Sequence, residues 1–252
     1  MLIPEETPQT GVRSALDLEL EQLQSILARM HATVTTMIRM AVRVTLESDQ
    51  SLAKQVRRLD DEVDVLELEA MNMILVLLMR HAPVAGDLKF LTATLGIVGE
   101  LEKAGDDAVK LARRSKKTVE TFPEEMQHAL QEMSEATIQI LDDAMVLYTD
   151  YSDDHAQRVI DSDSDIDSRY KRARNNLLAL IADTPTLTKP LYRCIETFHA
   201  LEHAADHAVD IAKRMRSVFY QGDQVDAASQ KDEAEPGEEG VPKRSSVDET
   251  AS

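Results

Sequence analysis

The chain has 252 residues, 43% of them hydrophobic, with 8 Gly, 8 Pro and no Trp. Leu, Ala, Met and charged residues dominate, a composition that suits long helices and excludes a sandwich or barrel. A formal net charge of −18 argues against nucleic acid and anionic lipid, whose binders carry basic patches.

Residues 1–13 hold Pro4, Pro8 and Gly11 and read as a flexible N-terminal arm. Ser14, followed by Asp17, is expected to cap the first helix. From there Leu16, Leu20, Leu23, Leu27, Met30, Val34, Met37, Ala41 and Val44 recur at three- and four-residue steps, the signature of an amphipathic helix. After a polar break at Ser48–Ser51, a second helix follows through Leu52, Val56, Leu59, Val63, Leu66, Ala70, Met73 and Leu77. His81-Ala82-Pro83 ends it, because a residue before proline avoids the helical region. A third helix is expected from about Val84 to Lys117.

Thr121-Phe122-Pro123 separates the halves. Pro123 suits the first turn of a fourth helix, with Glu124 and Glu125 near its positive end; that helix is expected to reach about Tyr151. Ser152-Asp153-Asp154 opens a fifth, ending near Asp183. Thr184-Pro185 mirrors Ala82-Pro83, and a sixth runs from about Leu187 to Tyr220. Cys194, the single cysteine, excludes an intramolecular disulfide and fits a reducing compartment; its spacing from Leu191 and Phe198 makes it a small core residue. Residues 221–252 are acidic and poor in large apolar side chains, so they read as a disordered, solubilising tail. The longest apolar run, Met73–Met79, is seven residues, against roughly 20 for a spanning helix. With no signal peptide at the N-terminus, a cytoplasmic protein is expected.

The architecture follows from an internal repeat. LEKAGDD at Leu101–Asp107 returns as LEHAADH at Leu201–His207, and the register extends from Lys89/Lys189 to Arg114/Arg214. The expected fold is all-α: two tandem antiparallel three-helix bundles, six long helices in all, divided into repeats over 14–120 and 121–220.

Each copy carries an acid pair at i,i+4: Glu102/Asp106 and Glu202/Asp206. In an antiparallel hairpin, residues equally far from the turn lie at one height. Glu102 and Asp106 lie 19 and 23 residues beyond Pro83, while Asp64 and Asp60 lie 19 and 23 before it. Around Pro185 the same holds within about one residue for Glu202 and Asp206 against Asp167 and Asp163. Each half is thus expected to gather an acidic quartet, with Asp60 and Asp64 nearer the outer edge. Like charges at i,i+4 destabilise a helix by roughly 0.2–0.5 kcal/mol, a conflict that a cation would relieve. Oxygen clusters suit Mg²⁺, Ca²⁺ or Mn²⁺, and imidazoles extend the choice to iron or zinc. His199, His203 and His207 form a stripe beside the second pair, where the first half has Gly99, Lys103 and Asp107. The competing reading is a solvated acidic face, with Lys103 or Arg113 neutralising part of it and the histidines on its shoulder. Gly96, Gly99 and Gly105 point to close helix–helix approach.

The chain resembles the PhoU family through RHAPVAGDLK at Arg80–Lys89, LEKAGDDAVKLARR at Leu101–Arg114, its degenerate copy LEHAADHAVDIAKR at Leu201–Arg214, and the acidic DDEVD at Asp60–Asp64 and DSDID at Asp163–Asp167. The resemblance covers about Leu16 to Phe219. It implies a cytoplasmic, all-helical, non-catalytic negative regulator of the phosphate-starvation response. The implied partners are a phosphate ABC transporter, through its ATPase subunit, and a sensor histidine kinase. It further implies a homodimer, membrane association only through those partners, and divalent, iron or zinc ions at Asp60/Asp64, Glu102/Asp106, Asp163/Asp167 and Glu202/Asp206. The second copy departs after Pro185, where TLTKPLYR replaces the VAGDLK form. Two other readings compete. One is a ferritin-like di-iron oxidase using Glu125-x-x-His128 and Glu196-x-x-His199; the other is a plain helical scaffold. No Gly-rich phosphate loop or cofactor fingerprint is present.

Overall fold

The computed structural model describes residues 9–47, 49–118 and 122–220. They form α1 (Gln9–Leu46), α2 (Gln50–His81), α3 (Ala85–Thr118), α4 (Glu124–Thr149), α5 (Asp153–Asp183), a 3-10 turn at Pro185–Leu187, and α6 (Thr188–Tyr220). No strand occurs among the described residues. Helix α1 begins at Gln9, so Ser14 lies inside it rather than at its cap. Residues 1–8 of the expected arm and the whole of 221–252 lie outside the described residues.

The helix ends follow local chemistry. The Asp49 side chain accepts from the Ser51 N–H at 2.8 Å and caps α2. Pro83 denies Ala82 the right-handed helical region, and Ala82 takes a left-handed cap at φ 42°. The second hairpin does not copy this turn. Thr184 is at φ −133°, and Pro185–Leu187 adds a short 3-10 turn before α6. Pro123 occupies the N-cap of α4 rather than its first turn, its carbonyl accepting from Met126 N at 3.0 Å. Ser152 caps α5 through His155 N.

The apolar stripes close as their periodicity requires. Leu23, Leu27, Met30, Val34, Met37, Ala41 and Val44 of α1 are fully buried, each larger side chain contributing about 1.5–3 kcal/mol relative to exposure. Helix α1 packs on α2 and α3, and α2 packs on α3. Glu19 near the start of α1 pairs with Arg80 and His81 at the end of α2, which makes the two antiparallel. In the second half α4 packs on α5, Thr137 of α4 donates to the Leu201 carbonyl of α6 at 3.1 Å, and Arg216 of α6 reaches Gln157 of α5 at 2.7 Å. The two bundles join through α1 on α4, through Thr94 of α3 donating to Tyr148 of α4 at 3.2 Å, and through α3 against α6. The described residues up to Val218 form one compact unit. Cys194 is fully buried, and burial pushes its thiol up to about 12. None of the described helices is long and apolar enough to cross a membrane.

Candidate metal centres

The hairpins bring the acids of each half together. In the first half, burial and then the neighbouring charges of Asp106, Glu67, Asp64 and Asp60 raise the Glu102 pKa. Asp60 is raised likewise, by burial and by Asp64, Asp106 and Asp61. In the second half, burial and the charges of Asp206, Asp167 and Asp163 push Glu202 up to about 7. Asp206 is raised by burial and by the charge of Asp163. A raised carboxyl pKa means that the ionised form is penalised there, by desolvation and by like charge.

Exposure follows position on the helix. Glu102 and Asp60 are half-buried, while Asp64 and Asp106 are exposed. The expected outer placement therefore holds for Asp64 but not for Asp60, which leans inward beside the fully buried Val56 and Val63 stripe. Glu202, Asp163 and Asp167 are half-buried and Asp206 is exposed. The acids of each quartet are partly open on two neighbouring helices and feel one another's charge. Among the described residues, however, only His199, Glu202 and His203 bring three ligand atoms within 4.8 Å of one another, so neither predicted quartet closes into a ligand set. Local cations meet part of the charge. Lys110 lies 3.8 Å from Asp106, and Lys171 lies 2.6 Å from Asp167. Lys103 turns away from the first quartet to Glu100, at 3.3 Å. One carboxylate oxygen, Glu202 Oε2, is buried without a hydrogen-bond partner.

The histidine stripe splits. His199 and His203 stay beside Glu202, and one ligand atom from each of the three lies within 4.8 Å of the others. His207 instead faces the first half. Its Nδ1 is 2.9 Å from Glu100 and its Nε2 is 3.4 Å from Asp107. Glu100 also accepts from Arg214 Nη2 at 2.7 Å. Both acids are nearly inaccessible, Glu100 at 3% and Asp107 at 4% exposure. Burial alone would raise their pKa values, but the bonds from Arg214, His207 and the neighbouring lysines outweigh it and hold both low. The contacts run in opposite order along the two helices: Glu100 with Arg214, Asp107 with His207, and Arg114 with Glu196 at 3.6 Å. Asp107 and His207 occupy equivalent places in the repeat, so the α3–α6 contact has approximate two-fold symmetry.

The sequence carries one signal of this network, Glu100 itself, a charge at core spacing between the buried Ile97 and Ala104. The glycines also divide. A Cβ at Gly96 would fall on the Arg214 guanidinium, and one at Gly105 would touch Val34, Met37 and Val63 at 3.6–3.7 Å. Gly99 faces open space, so close approach does not account for it. The two Glu-x-x-His motifs build no buried centre: Glu125 and His128 are exposed, and Glu196 pairs with Arg114.

The PhoU domain family matches residues 27–115 and 130–215, one span in each half. A phosphate-specific transport system accessory protein PhoU homolog of Pseudomonas putida is 27% identical over 213 residues, 84% of this chain and 83% of that protein. Its counterpart from Clostridium acetobutylicum is 27% identical over 217 residues, 85% and 98% of the two chains. The crystal structure of PhoU from Pseudomonas aeruginosa superposes with a TM-score of 0.77 at 26% identity, covering 81% of this chain and 99% of that one. A phosphate transport system regulatory protein PhoU from Streptococcus pneumoniae shares the fold, with a TM-score of 0.73 at 20% identity over 81% of this chain and 96% of that one.

Proposed function

The chain belongs to the PhoU family, and from that premise we propose that it regulates phosphate transport as a non-catalytic adaptor. Its relatives are named as accessory proteins of the phosphate-specific transport system. The observation that carries the reading is the family match across both halves, together with an acidic quartet in each. In this role the protein contacts the ATPase subunit of a phosphate ABC transporter and a sensor histidine kinase. It holds the starvation response off when phosphate is plentiful, and it works as a cytoplasmic homodimer. The test is deletion of the gene with a phosphate-starvation reporter read in phosphate-rich medium. Induction of the reporter supports the role, and an unchanged reporter overturns it.

The same proposal assigns metal ions to Asp60, Asp64, Glu102 and Asp106 and to Asp163, Asp167, Glu202 and Asp206. The donor chemistry fits. Carboxylate oxygens suit hard divalent cations, the like charges of each quartet are only partly neutralised by Lys110 and Lys171, and the buried Glu202 Oε2 is unpaired. A bound cation supplies positive charge that ties the facing helices of a hairpin together. Elemental analysis of purified wild type and of Glu102→Ala/Asp106→Ala tests the first centre; equal metal in both removes it. The oxidase reading lacks a buried ligand set, since Glu125 and His128 face solvent.

A further inference from the structure

We infer that the two acidic centres differ in kind: His199, Glu202 and His203 form a mixed nitrogen–oxygen site for a borderline transition cation of the zinc class. The first half offers oxygen ligands only. This inference rests on the metal reading above and sharpens it for one half of the molecule.

Three observations point the same way. First, His199 and His203 are i,i+4 on α6 and share a face, with ring centroids 4.2 Å apart. Second, the distance from His199 Nε2 to Glu202 Oε2 is 3.7 Å. Two ligands about 2.0–2.2 Å from a tetrahedral Zn²⁺ sit roughly 3.3–3.6 Å apart. The observed spacing is too long for a hydrogen bond and close to that of two ligands on one ion. Third, Glu202 Oε2 is buried with no hydrogen-bond partner. An orphaned buried acceptor destabilises the fold, and a cation between it and His199 removes that penalty. Tyr170 lies against His199 in a tilted arrangement, ring centroids 5.5 Å apart.

The repeat provides an internal control. The positions equivalent to His199 and His203 are Gly99 and Lys103, and Lys103 is committed to Glu100. No nitrogen ligand therefore replaces them at the first centre. His207, the third member of the stripe, is held by Glu100 and Asp107. The site is thus two imidazoles and one carboxylate on a single helix, with Asp206 one turn from Glu202. Imidazole selects Zn²⁺, Co²⁺, Ni²⁺ and Cu²⁺ over Mg²⁺ and Ca²⁺.

The test uses the full chain, stripped of metal by chelator and titrated with Co²⁺, then with Zn²⁺ in competition. The visible absorption of bound Co²⁺ reports nitrogen ligation. Mn²⁺ titrated separately reports the all-oxygen centre. His203→Gln, at an exposed position that the fold does not depend on, and His199→Gln are expected to weaken Zn²⁺ by more than about tenfold, since even outer-shell partners act on that scale, and to abolish the Co²⁺ band. Both should leave Mn²⁺ binding unchanged. Glu102→Gln/Asp106→Asn should do the reverse. If Mn²⁺ binds the first quartet while Zn²⁺ affinity stays within twofold of wild type in both histidine variants, this inference falls and the broader metal reading stands. If neither cation binds wild type, both fall.

Discussion

Glu100 is the residue whose removal should cost the fold most per atom. It is 3% exposed and accepts from Arg214 at 2.7 Å, from His207 at 2.9 Å and from Lys103 at 3.3 Å. Glu100→Ala leaves three donors facing a vacated site at the junction of the halves. Breaking a buried ion pair by deleting one partner costs about 3–5 kcal/mol. Arg214 and Lys103 are 43% and 54% exposed, so water screens their share and the expectation falls to about 2–4 kcal/mol. Glu100→Gln keeps an acceptor oxygen and the side-chain shape, and should cost about half as much. Urea unfolding at constant m measures both, and for a unit of this size each kcal/mol corresponds to about 2–4 °C in Tm. A double-mutant cycle with Arg214→Ala should return a coupling of about 0.5–3 kcal/mol. Both Glu100 variants within about 0.5 kcal/mol of wild type, or no coupling to Arg214, would refute the reasoning.

Three further outcomes are expected. Glu100 and Asp107 are held low, so their stabilisation is present above the ordinary values of 4.5 and 3.8 and is lost as pH falls through their folded pKa values. His207 is held high by its bonds to Asp107 and Glu100 despite burial, so its contribution is full below 6.5 and is lost as pH rises through its folded pKa. The His207 share of the urea midpoint should therefore fall as pH rises above about 6.5, and His207→Gln should make the alkaline decline shallower, leaving the share that Glu202 contributes; an unchanged alkaline limb contradicts the assignment. Glu202 behaves oppositely, because burial and acidic neighbours push it up to about 7, so ionising it costs metal-free stability as pH rises from 4.5 through that value. Glu202→Gln should raise the metal-free midpoint at about pH 8 and not below about pH 4.5; equal gains at both would count against it. Gly99→Ala, into open space, should stabilise by about 0.5–1 kcal/mol. Gly96→Ala should instead destabilise by about 0.5–2 kcal/mol by displacing Arg214 from Glu100. Chemical denaturation of the pair checks the opposite signs.

The height of the acid quartets was legible because a helix rises a fixed 1.5 Å per residue and a tight turn sets the zero. Counting from Pro83 and Pro185 therefore placed Asp60, Asp64, Asp163 and Asp167 beside their partners, as the mutual influence of Glu102 and Glu202 with them shows. Rotation about the axis was less legible. A wheel put Asp60 at the rim, whereas packing beside Val56 and Val63 half-buries it. The faces by which the halves meet were not legible at all. A repeat tells that two copies exist, not which surfaces they share, so spacing alone groups His207 with His199 and His203 although it turns to α3. Similarly, the glycines read as contact points from composition, yet Gly99 touches nothing across the bundle.

Asp107 and His207 stand where the two copies of the repeat meet each other at the same position. On an exact dyad a chain has no choice but to confront its own residue. Two aspartates there would repel each other in a dry seam, and two protonated histidines would fare no better. Joining the copies in one polypeptide lifts that obligation, because each side of the seam is then free to change alone. An acid opposite an imidazole is a pairing that no pair of identical chains related by that dyad could make, so this seam depends on both copies lying in one polypeptide.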